Sequence, residues 1–303
     1  MERLPNDPIL KFKENTLYDV RKAYGLDKPE TLKAAIDHLE EWVQKQNHFK
    51  KKDFSRDYLE RTLIFNKGSV EKSTKAMDKM CTLKGLMPKY FVKFDYKKDY
   101  DFKGIIYNAL LPKLTENHSR IFVLKNSIKI LMLNYSLQFV EYVKANEYSK
   151  GFTIVLDYSD TNLTDLAFKL SLIELLQKLF QEAYRTRLES LNILSSSKVV
   201  DIIVTVFKQA LSDKLKKRIK VHSDLDSLHK SIPKDLLPSD YGGPEKSMEV
   251  LHNEWVEVLT SKEATEFRDS MASATTDEAL RPQGKFNEEY MGMPGSFSSF
   301  NLD

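Results

Sequence analysis

Lys214, Lys216, Lys217, Arg218 and Lys220 place five cations within seven residues. Such a cluster can attract an anionic surface, each charge near a bilayer of acidic lipids adding about 1 kcal/mol. It can also be the C-terminal end of a helix, where the helix dipole alone favours cations. Lys214 and Arg218 are four residues apart and share a face if a helix runs through both. The other reactive side chains are scattered. His38, His48, His118, His222, His229 and His252 show no metal-ligand spacing, so neither a metal nor a cofactor is expected. Cys81 stands alone and reads as a packed thiol, and Ser195-Ser196-Ser197 reads as a helix cap rather than a nucleophile. No G-x-S-x-G elbow, phosphate-binding loop or dinucleotide fingerprint occurs, which points to a binding protein rather than an enzyme.

The stretch before the cations is the most apolar helical pattern in the chain. Val199, Ile202, Ile203, Val206, Phe207 and Ala210 recur at the spacing of one helix face. Val200, Val204 and Leu211 widen that face until only Asp201, Thr205, Lys208 and Gln209 remain polar. A surface helix needs a single apolar stripe, so this one must be buried on more than one side or meet lipid. After the cations the chain reaches Leu237-Pro238-Ser239-Asp240-Tyr241-Gly242-Gly243-Pro244, a hard turn whose paired glycines require backbone freedom.

Composition narrows the classes. The 303 residues carry 47 basic and 44 acidic side chains, and a net charge of +3 is too mild to make nucleic acid the expected partner. A hydrophobic share of 41% supports one large core or two modest ones. Ten glycines, about half the usual share, favour helix over short-stranded β folds. One cysteine forbids an intrachain disulfide and points to a reducing compartment. With no apolar leader and no apolar run long enough to span a bilayer, a cytoplasmic monomer is expected.

Elements follow from periodicity. Residues 8 to about 90 read as helices: one starting at Asp27-Lys28-Pro29-Glu30, one over about 55–66, and one capped by Ser69 and running through Met80. From about 104, short apolar runs alternate with long helical patterns. Ile121–Leu124, Phe152–Asp157 and Leu191–Ile193 read as strands; about 128–146, a stretch after Asn162, and about 244–259 read as helices. Strand–helix–strand at these lengths implies parallel pairing with right-handed crossovers. The expected organisation is a helical lobe over 1–90, an α/β domain over 91–259, and a polar tail over 260–303 that is weakly ordered or wraps the surface.

Several segments together resemble the CRAL-TRIO family of lipid-transfer domains, over about residues 28 to 258. They are Tyr58-Leu59-Glu60-Arg61-Thr62-Leu63, Gly151-Phe152-Thr153-Ile154-Val155-Leu156-Asp157, Tyr184-Arg185-Thr186-Arg187-Leu188 and, most specific, Leu237 to Gly243. The ending Gly295-Ser296-Phe297-Ser298-Ser299-Phe300 is similar to that of many animal members, in the branch of tocopherol- and retinaldehyde-binding carriers. The resemblance implies an α/β domain with a mainly parallel sheet, an apolar ligand cavity and a mobile gate helix at 199–211. Pocket-lining roles carry over to Leu179, Tyr184, Leu191, Ile203 and Val206, with Phe207, Ile154, Tyr135 and Phe139 expected beside them. Val199, Val200, Ile202, Val204 and Leu163 are expected at the gate and the membrane. Phosphoinositide-binding roles fall on Lys214, Lys217, Arg218, Arg187 and Arg61.

There are departures. Ser195-Ser196-Ser197 replaces the family's Asn-x-Pro ahead of the gate, Ser190 replaces a glycine, and Glu189 replaces a basic residue. Thr186 stands where phosphatidylinositol-binding members have glutamate, which argues against that lipid as cargo and leaves a surface phosphoinositide open. Two functions fit: a soluble carrier that moves one hydrophobic molecule between membranes, touching anionic lipids peripherally, or a ligand-responsive adaptor in phosphoinositide signalling or membrane traffic.

Overall fold

The computed structural model describes residues 4–88, 91, 107–125, 132–159, 183–195 and 199–282, leaving out the side chains of 132–136, 138, 199, 202, 203, 206, 207 and 210. Four helices open it: α1 (Thr16–Lys22), α2 (Pro29–Lys45), α3 (Arg56–Phe65) and α4 (Val70–Leu86). Pro29 sits in the first turn of α2, where its missing N–H costs nothing. The Ser55 and Ser69 hydroxyls accept from the backbone N–H of Tyr58 and Lys72 and cap α3 and α4. Leu32, Ile36, Leu39 and Val43 form the buried stripe of α2, as their spacing predicts. Helix α4 does not stop at Met80. It runs on to Leu86 because Cys81 and Leu83 extend its buried face, and the Lys84 amine donates to Glu141 and to the Met271 carbonyl.

The α/β part is a five-stranded sheet in the order β1-β2-β3-β4-β5: β1 (Tyr107–Leu114), β2 (Ser119–Lys125), β3 (Gly151–Asp157), β4 (Leu188–Leu194) and β5 (Ile219–His222). The β1–β2 pair is antiparallel and every later pair is parallel. Parallel neighbours need a crossover, and α5 (Met132–Asn146) supplies the one between β2 and β3. Two strands escaped the sequence reading. β1 contains Pro112, which an edge strand tolerates because its outer side needs no ladder donor. β5 is hidden among the cations.

Beyond β4 come α6 (Val199–Ala210), the single turn α7 (Asp213–Lys216), α8 (Leu225–His229), α9 (Met248–Leu259) and α10 (Lys262–Ala272). Trp255 of α9 is fully buried, donates to the Leu110 carbonyl at 2.9 Å and meets Phe139 edge-on. The glycine turn is set by space. Gly242 has φ +74°, and a Cβ on Gly243 would lie 1.9 Å from the Leu237 carbonyl oxygen. That turn delivers Tyr241, whose phenol donates to Asp157 at the end of β3.

Residues 260–282 take the wrapping course of the two expected, and begin it with a regular helix. Ser261 caps α10, Met271 and Ala274 are buried, and the chain then returns along the helical lobe. There Lys50 donates its N–H to the Thr275 carbonyl and Asp277 to that of His48. Arg281 closes the strap with a two-pronged contact to Asp78, at 2.8 and 2.9 Å, and further bonds to Thr82 and Glu278. A polar composition hid a packed segment because carboxylate and guanidinium satisfy each other inside it.

Candidate functional site

The buried apolar residues form three clusters. The first joins α2–α4 to Leu137 and Val140 of α5, to Tyr148, Ala183 and Tyr184, and to Met271 and Ala274. The second lies around Trp255 and takes in Ile121, Val123, Val155 and Phe139, and even Ile9 and Leu10 from the extended N-terminal segment. The third is small: Leu156, Tyr158, Leu188, Leu191, Ile193 and Leu215, with Leu124, Ile154, Ile219 and three residues of the apolar stretch packed on it. Along β3, Val155 belongs to the second cluster while Ile154 and Leu156 belong to the third, as the alternating faces of a strand require.

Helix α6 lies over this third cluster through Val200 and Val204, joined by Leu211 just beyond its end, and exposes Asp201, Thr205, Lys208 and Gln209. The polar stripe is as its spacing predicts. Val200 and Val204, expected at the gate and the membrane, pack on the sheet side with Leu211, on a stripe beside the polar one. Of the pocket-lining candidates, Leu191 and Ile154 meet here. Tyr184 does not: it is buried in the first cluster, where its hydroxyl donates to Glu141. Phe139 is also elsewhere, stacked on Phe122 at 5.3 Å and held by Trp255. Leu163 and Leu179 lie outside the described residues, as do the side chains of Tyr135, Val199, Ile202, Ile203, Val206 and Phe207.

The cations form a group, although not along a helix. Helix α7 ends at Lys216, so Lys214 and Arg218 do not share a helical face, and Arg218 donates to the Leu188 carbonyl at the start of β4. Lys214 and Lys217 are exposed. Arg187 reaches the Tyr24 hydroxyl at 3.2 Å and the Lys150 carbonyl. The sequence reading missed Lys67, which has φ +58° ahead of Gly68. Partial burial, and then Arg187, Lys214, Lys72 and Arg218, hold its ammonium below the ordinary lysine range. No carboxylate is among those influences. Its signal was available in Lys67-Gly68, between the helix expected over about 55–66 and the one capped by Ser69. Arg61 is not part of this surface: it is buried, with its guanidinium over the Tyr148 ring at 5.4 Å.

Among the described residues, no group of three or more His, Cys, Asp and Glu side chains could hold a metal ion, and no helix is long and apolar enough to cross a membrane. Burial pushes the Cys81 thiol up to about 12, so it is inert as a nucleophile.

Residues 106–243 match the CRAL/TRIO domain family. The alpha-tocopherol transfer protein-like protein of Mus musculus is 27% identical over 115 residues, which is 37% of this chain and 33% of that protein. Clavesin-1 of Xenopus laevis is 32% identical over 96 residues, 31% of this chain and 29% of that protein. The matched stretch therefore spans about a third of the length of these relatives. Among solved structures, the crystal structure of Sfh5 aligns with 85% of this chain and 100% of its own, at TM-score 0.46 and 12% identity.

Proposed function

We propose, on the premise that residues 106–243 match the CRAL/TRIO domain family, that the protein is a carrier that takes one hydrophobic molecule from a membrane, encloses it and releases it at another. One observation carries this reading: a separate apolar cluster is lidded by a single helix, α6, beside a cation group. Lifting α6 in water would expose Val200, Val204 and Leu211 together with the cluster beneath. Opening is therefore favoured only where another apolar phase covers that face. Burial at about 0.8 kcal/mol per CH₂ inside the protein offsets removal of the guest from the bilayer. Lys67, Lys214, Arg187 and Arg218 supply the complement to anionic headgroups, phosphoinositides among them, and orient α6 toward the membrane. The guest enters and leaves as cargo, with no resident cofactor. Tocopherol- and retinoid-like molecules are the proposed class of guest, the first of them being named for a relative.

The decisive test is native mass spectrometry of the purified full chain, with solvent extraction of what it holds. The carrier reading expects one bound lipid per chain and its transfer between vesicles, faster onto acidic ones. A protein that carries no lipid and transfers none from loaded vesicles rejects it.

A further inference from the structure

At the seam where α3 and α4 meet α5, Arg61, Glu141, Lys144 and Tyr148 each keep a buried hydrogen-bonding atom without a partner among the described residues. Two of them decide its chemistry. Lys144 is 1% exposed, its Nζ lies 5.5 and 5.8 Å from the Tyr58 and Tyr184 ring centroids, and it has no acceptor. Glu141, one turn earlier and 4% exposed, accepts from Lys84 and Tyr184 on Oε1 and has no donor on Oε2. The two form no ion pair with each other. Buried ionised groups in this condition are costly, so something must complete them.

What completes them is constrained by sign. A carboxylate or phosphate would satisfy Lys144 but be repelled by Glu141. An amine would do the reverse. A hydrocarbon would satisfy neither. A hydroxyl accepts from the ammonium through its oxygen and donates its proton to the carboxylate. Lys84 and Tyr184 fix the Glu141 carboxylate, and Lys84 is itself anchored on the Met271 carbonyl at 2.8 Å. Position agrees. Tyr184 stands four residues ahead of Leu188, the first residue of β4 and a member of the apolar cluster under α6.

We propose that Lys144 and Glu141 read the hydroxyl of a lipophilic alcohol whose apolar body extends toward the cluster beneath α6. This rests on the carrier reading and narrows its guest to an alcohol.

The test uses the delipidated full chain with three probes: hexadecanol, its methyl ether and hexadecane, compared by native mass spectrometry. The alcohol should bind roughly tenfold or more tightly than the ether, which cannot donate. Lys144→Met and Glu141→Gln should each bring that ratio toward one. Equal binding of alcohol and ether by the unmodified protein means that the seam holds water only, and overturns the proposal while leaving the carrier reading intact. A preference that survives Lys144→Met also overturns it. Binding of none of the three removes the carrier reading and this proposal together.

Discussion

Arg281 illustrates what a single side chain does in this protein. Its guanidinium is almost fully buried, and it ties the end of the strap to Asp78 and Thr82 of α4. Removing one partner of such a pair leaves a buried charge uncompensated. Arg281→Met should therefore destabilise the protein by about 3–5 kcal/mol, read as a lower urea midpoint at unchanged slope. Gly243 is decided by space instead. Any Cβ there meets the Leu237 carbonyl, so Gly243→Ala should lower the melting temperature sharply, and Tyr241 should lose its bond to Asp157. At the surface, Lys67 is tested by charge: Lys67→Met should weaken binding to anionic vesicles by about 1 kcal/mol at low salt, and by less as salt rises.

Among the elements, α6 carries the clearest expectation. Val204→Asp turns a carboxylate toward Ile154 and Leu191, whereas Thr205→Asp, one residue on, adds the same charge to an exposed stripe. Lipid retention after gel filtration should fall in the first and hold in the second; equal loss in both would place α6 the other way round. The same helix shows what a sequence can convey. Its polar stripe was legible in Asp201, Thr205, Lys208 and Gln209, because a period of 3.6 maps directly onto a face. That the Val200 and Val204 stripe meets the sheet was not, since the rest of the helix is equally apolar in sequence. Tyr184 and Phe139 were misplaced for the same reason. Apolar character marks a residue as buried without naming the cluster. Strand β5 was missed because Lys220 lies within a run read as one of charges, while the Ile-Lys-Val-His alternation is that of an edge strand. The parallel order of β2 to β4, by contrast, followed from the lengths of the elements between them.

At the scale of the molecule, acid should loosen the fold. Burial, aided by Lys150 and Lys13 near His118 and by Lys220 near His222, holds those two rings below the ordinary histidine range; burial does the same for His252. Below about pH 6.5, the unfolded chain therefore takes up protons before the folded one does. Stability present above that pH is lost as the solution is acidified. Melting temperatures recorded from pH 7.5 to 5 should fall, and fall less in His252→Gln. Truncation is the second test at this scale. Ending the chain after Thr260 deletes Met271, Ala274 and Arg281 from the first cluster and its strap, so it should unfold the helical lobe, read as loss of its cooperative melting. Ending it after Pro282 leaves all of these contacts in place.

The strap also has a consequence for biosynthesis. Helices α1 to α4 leave the ribosome well ahead of residues 271–281, where Asp78, His48 and Lys84 find partners. The lobe must therefore wait, with those polar groups still hydrated, until that later segment emerges.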